Sequence, residues 1–182
     1  MHYAYGMKRM RGFTIVEIVV VIAVIGVLTT IGAIGYNQLH TKVSNDSITS
    51  EANLWISLMR QYKQRYGTLP AVSSGNYCLT TNQTSRPCRS PFLTTWSDPS
   101  PVLNELKKIG QLPDGKSYKV FTDTSNRQFA GFQLNASGGS LYEFTFFLQG
   151  ENQKCPNQIS MTTNNMNGLT ACDRTGLNTS AL

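Results

Sequence analysis

The sequence predicts an α+β fold in which a long N-terminal helix packs on a small antiparallel β-sheet, and three patterns predict it. The run 13–36 is apolar with Glu17 as its one charged side chain. Beyond it, Ile48, Ala52, Trp55, Met59, Tyr62 and Tyr66 recur at i, i+3 and i, i+4 spacings, with Asn53, Ser57, Arg60 and Gln64 as a polar stripe. That periodicity is an amphipathic helix. Two later segments, 129–135 and 141–149, alternate apolar and polar side chains as half-buried strands do.

The chain starts with a basic leader. Lys8, Arg9 and Arg11 stand in the first twelve residues without an acid and account for half of the net charge of +6. Positive charge beside an apolar run holds that end of a segment in the cytoplasm. The run itself exceeds the roughly 7–15 apolar residues of a secretory signal core, and no A-x-A-like site closes it. About 22 helical residues would cover roughly 33 Å, enough for a hydrocarbon core of about 30 Å. Lipid leaves the backbone no partner but itself, so the run is expected to be helical despite its many Val and Ile residues. Glu17 is the anomaly, since a carboxylate at the bilayer centre costs about 2.5–3.5 kcal/mol. Two readings stay open: Glu17 snorkels at the interface, or it meets a cation. A cut between Gly12 and Phe13 would create such a cation four residues upstream.

The amphipathic stretch is expected to continue the apolar helix, giving one helix over about 14–65, with Gly67 as its stop and Pro70 beyond. The aromatic stripe reads as core packing. A short second helix is expected over 102–109, started by Ser100 or Pro101 and ended by Gly110. Strands are expected at 117–122, 129–135 and 141–149, the last two joined at Gly138-Gly139 as an antiparallel hairpin, with a weaker fourth at 159–163. The stretches 73–100 and 152 onward, rich in Ser, Thr, Asn and Pro, read as surface loops. The expected organisation is a leader (1–12), a membrane-spanning or filament-core helix (13–36), an amphipathic helix (37–66) and a globular α+β head (67–182).

The stretch Lys8-Arg9-Met10-Arg11-Gly12-Phe13-Thr14-Ile15-Val16-Glu17 resembles the N-terminal signal of type IV pilins and the pseudopilins of type II secretion. In that family a basic leader ends in Gly, Phe usually follows, and Glu stands at the fifth mature position. The resemblance covers about 25 residues and is specific, because these residues must fall at fixed offsets before a spanning apolar run. Gln61 to Pro70, QYKQRYGTLP, also resembles the stretch that closes the long helix of pseudopilins. The resemblance implies a pilin-like fold and cleavage after Gly12 by a prepilin peptidase. It also implies methylation of the Phe13 amine and pairing of Glu17 with the Phe13 amine of a neighbouring subunit. It further implies an inner-membrane precursor with its head outside the cytoplasm, lipid around the helix before assembly, and partners in other pilin subunits and an inner-membrane assembly platform. The product would be an extracellular pilus or a periplasmic pseudopilus. Either Met1 or Met7 suits as the start. Gly26, Gly32, Gly35, Ala23 and Ala33 would let helices approach closely. Family members often have Pro where Ile34 stands here, so any local melting of the helix would rest on the glycines.

Cys78, Cys88, Cys155 and Cys172 all follow Gly67, in the part expected outside the cytoplasm, where disulfides form. Cys78–Cys88 and Cys155–Cys172 are the preferred pairs because each closes a short loop, and the second would resemble the C-terminal disulfide region of many pilins. His2 and His40 are the only histidines, and no C-x-x-C occurs, which disfavours zinc sites and His-dependent triads. No cofactor, metal or enzymatic activity is expected. Asp98, Asp114, Asp123 and Asp173 could supply calcium ligands but read better as solvated turn residues. Asn45, Asn82, Asn135 and Asn178 head N-x-S/T triplets that carry little weight. Lys107, Lys108, Lys116 and Lys119, with Arg86 and Arg89, are basic clusters that would suit DNA in a tip or uptake subunit, although such groups are more often solvated faces. The other competing reading is an uncleaved, single-span anchored domain.

Overall fold

The computed structural model describes residues 12–80, 87–93, 95–137, 141–156 and 162–175; the side chains of 31–35, 141–142 and 162–164 are outside that description. The expected turn at Gly138-Gly139, the leader, Arg86, Asn82 and Asn178 also fall outside it. The elements run α1 (Ile15–Tyr66), β1 (Gly75–Cys78), α2 (Ser100–Lys107), β2 (Val120–Thr122), β3 (Gln128–Ala130), β4 (Gln133–Ser137), β5 (Leu141–Gln149), β6 (Thr162–Met166) and β7 (Leu169–Arg174). The chain divides into two compact units, 1–40 and 41–182.

Helix α1 extends over 52 residues and is helical through the glycine-bearing stretch 26–35. It stops where Gly67 adopts φ +79° and its N–H returns to the Lys63 carbonyl at 2.8 Å. Such a left-handed stop is easy for a residue without Cβ. Lys63 and Arg65 in the last turn suit the negative end of the helix dipole.

In the second unit the helix packs on a five-stranded antiparallel sheet of order β1-β4-β5-β7-β6. Ala52 and Trp55 are fully buried, with Ile48, Ile56, Met59 and Tyr62 nearly so; they share one core with Phe132, Leu134, Phe144, Phe146 and Leu148. Burial of each large apolar side chain contributes about 1.5–3 kcal/mol. Phe132 stacks on Phe144 at 6.2 Å between ring centres. Val102 and Leu106 bring α2 into the same core. Asn45 ties α1 to the end of β5: its Nδ2 donates to the Gln149 carbonyl and its Oδ1 accepts the Gln149 N–H, both at 2.9 Å. The sulfurs pair as Cys78–Cys88 and Cys155–Cys172.

Several expectations need correction. The single strand expected over 129–135 is two strands, because Gly131 takes φ +78° and turns the chain between them. As a result β3 pairs β2 in a separate hairpin while β4 joins the main sheet. The segments expected as loops contain β1 and β7, and the fourth strand expected at 159–163, of which 159–161 lie outside the described residues, is described over Thr162–Met166. The stripe of Asn53, Ser57 and Arg60 is half-buried, and Leu54 is 55% exposed instead. Asp123 is not a solvated turn residue: its side chain is fully buried against Arg127, and Asp173 lies on β7.

Candidate functional site

The N-terminal unit offers an apolar surface. Phe13, Ile15, Val16, Ile18 to Ile22, Val24, Ile25, Val27 and Leu28 are each 49–84% exposed. Monomeric soluble proteins rarely leave so large a contiguous apolar surface open to water, so it needs lipid or other helices. The hydroxyls of Thr29 and Thr30, just beyond it, are turned back on the helix. Thr29 Oγ1 donates to the Ile25 and Gly26 carbonyls at 2.9 and 3.0 Å, and Thr30 Oγ1 to the Val27 carbonyl at 2.7 Å. Polar groups satisfied in this way keep the outer surface apolar. Among the described residues no helix is long and apolar enough to cross a membrane. The side chains of 31–35, Ile-Gly-Ala-Ile-Gly in the sequence, lie outside the described residues.

Thr14 and Glu17 close the start of the helix reciprocally. The Thr14 N–H and Oγ–H both donate to Glu17 Oε2 at 2.8 Å, and the Glu17 N–H donates to Thr14 Oγ1 at 3.2 Å. This is a capping box: each side chain satisfies a backbone N–H that the helix leaves without a partner. Sequence reasoning placed Glu17 but missed Thr14, although the T-x-x-E spacing ahead of an apolar run is the signature of that device. The carboxylate also faces the positive end of the helix dipole. Gly12 and Phe13 precede the helix, non-helical and exposed, and no atom of the described residues lies within 4 Å of where a Cβ on Gly12 would be.

A family model described as the prokaryotic N-terminal methylation motif matches residues 7–33, which carry every one of these features. Type II secretion system core protein G of Klebsiella pneumoniae is 25% identical over 132 residues, 72% of this chain and 89% of the relative. The protein of that name from Pectobacterium carotovorum subsp. carotovorum is 25% identical over 137 residues, 74% of this chain and 83% of the relative. The chain carries that motif and is similar to the core pseudopilins of type II secretion. No solved structure is a significant match.

The lysines singled out from sequence fall into two kinds. Lys108 pairs with Glu105 at 2.6 Å, and Lys116 with Asp114. The Lys108 hydrogen bond holds Glu105 below the usual carboxylate range, and the Glu105 bond raises Lys108. Lys107 and Lys119 enter no ion pair among the described residues. Arg89 donates to Gln128. Asp98 caps Ser100 at the start of α2, accepting its N–H at 2.9 Å and its hydroxyl at 2.7 Å. On the sheet, burial raises the Glu143 carboxyl, and the charge of Asp173 raises it further. Among the described residues no group of three His, Cys, Asp or Glu side chains could hold a metal ion.

Proposed function

We propose that the chain is a structural subunit of a type II secretion pseudopilus or a closely related type IV pilus, polymerised through its N-terminal helix. The carrying observation is the helix surface from Phe13 to Leu28, exposed on every side and apolar apart from Thr14 and Glu17. The names of the two relatives favour the pseudopilus over the pilus. A prepilin peptidase hydrolyses the Gly12–Phe13 peptide, releasing the leader with Lys8, Arg9 and Arg11 and creating an α-amine on Phe13. Methylation leaves that amine cationic. Before assembly the helix is held in lipid, and on assembly other helices replace the lipid by close packing.

Glu17 acts twice in this scheme. In the isolated chain it caps its own helix through Thr14. During assembly its charge meets the Phe13 amine of a neighbour, which relieves the cost of a carboxylate in an apolar phase. Glu17→Gln separates the two roles, because Gln also completes a capping box while carrying no charge. The variant is expected to reach the membrane and fold as the wild type does while the sedimentable filament fraction collapses. Filament yield equal to wild type would remove the charge-pairing step.

A further inference from the structure

A groove of about 540 Å³ runs along the second half of α1 and holds a carboxylate with one oxygen unused. Ser50, Leu54 and Ser57 of α1 form one wall, and Gln111, Leu112 and Pro113 form the other. Glu51 lies among them, 7% exposed. Its Oε2 accepts both the Ser117 N–H, at 3.2 Å, and the Ser117 hydroxyl. Its Oε1 has no hydrogen-bond partner among the described residues, yet it is not among the fully enclosed polar atoms without one. It therefore opens on the groove. Glu51 enters no ion pair among the described residues. The lysine at the rim, Lys116, is held by Asp114.

A carboxylate so far removed from water calls for a cation, because its desolvation is otherwise offset only by neutral donors. One open oxygen suits a compact ammonium better than the two-pronged guanidinium fork of arginine. The apolar floor of Leu54, Leu58 and Leu112 suits the methylene stem that a lysine buries behind its charge. We infer that this groove receives a lysine side chain from a second copy of the chain. The inference rests on the filament reading, in which every subunit presents the same groove and the same lysines to its neighbours. Charge complementarity supports that source: the chain has 16 Lys and Arg against 10 Asp and Glu. Lys42, Lys107 and Lys154 are exposed and form no ion pair among the described residues. Joining different patches of successive copies also gives the open, head-to-tail contact from which filaments grow.

The test uses the full-length chain in its assembled form. All described cysteines are in disulfides, so Leu54→Cys, at a site 55% exposed, introduces a single reactive thiol at the groove. A short maleimide–succinimidyl ester linker then captures any amine beside it, and mixing isotopically heavy and light copies separates capture between copies from capture of Lys116 within one. The expected result is a lysine of another copy joined to position 54, with its yield cut at least about tenfold when Glu51→Gln is added. Gln still accepts the Ser117 bonds through its Oε1, so the thermal melt should stay within a degree of the parent and a merely structural Glu51 would leave capture unchanged. Filaments that yield only the internal Lys116 product, capture of a different protein, or a yield indifferent to Glu51→Gln would each overturn the groove assignment alone. A chain that forms no filaments at all would overturn the filament reading and this inference with it.

Discussion

Asp123 shows how one side chain can organise a turn. Its Oδ1 accepts the N–H groups of Ser125 and Arg127 at 2.9 and 2.8 Å, and its Oδ2 accepts Arg127 Nε at 2.7 Å. Burial by itself raises the carboxyl, but the bonds from Arg127 and Ser125 outweigh it and the group ends below its usual value. An acid depressed in the folded state contributes stability that is present above the unfolded value, near 3.9, and is lost as pH falls through the folded value. Asp123→Asn should therefore melt well below the wild type at pH 7, with the gap narrowing steadily below about pH 4. Equal melting temperatures at neutral pH would show that the turn does not depend on this carboxylate. The sequence placed Asp123 in a turn but gave no sign of its burial, which comes from Phe92 and Phe129 flanking the guanidinium that holds it, at 5.4 and 5.9 Å. The pairing of Thr14 with Glu17 is legible in the T-x-x-E spacing alone, because the capping box is a local device.

At the scale of elements, the long helix and β5 were readable because each has one period sustained over many residues. β1 has four residues and too little pattern to separate it from the loops around it. The β6–β7 hairpin was readable and missed: Asn167 and Gly168, with φ of 39° and 91°, form the two-residue turn that Asn-Gly favours. Gly131 misled in the opposite way, because alternation runs through it unbroken. What stops the strand there is the positive φ of Gly131, and a Cβ at that position would lie 2.6 Å from Cys88 Sγ. Gly131→Ala should cost more than about 1 kcal/mol in urea melts, through the positive φ as well as the disulfide. It should also slow formation of the Cys78–Cys88 bond. Unchanged stability would mean that the two strands tolerate fusion into one.

At the scale of the whole molecule, the two units meet different demands. The head buries an aromatic core and has both disulfides, whereas the N-terminal unit leaves its apolar residues exposed. The signal there is local: leader charge, Gly12, Phe13 and Glu17 form a sequence motif that needs no tertiary context. The groove at Glu51 had no such signal, since Glu51 and Ser117 are distant in sequence and only the fold joins them. The whole account depends on release of a cationic Phe13 terminus, and the intact mass of the purified mature protein with sequencing of its first peptide tests this directly. The account predicts a single species that begins at Phe13 with one added methyl group. A mature protein that begins at Met1 or Met7 and keeps Lys8, Arg9 and Arg11 would contradict it.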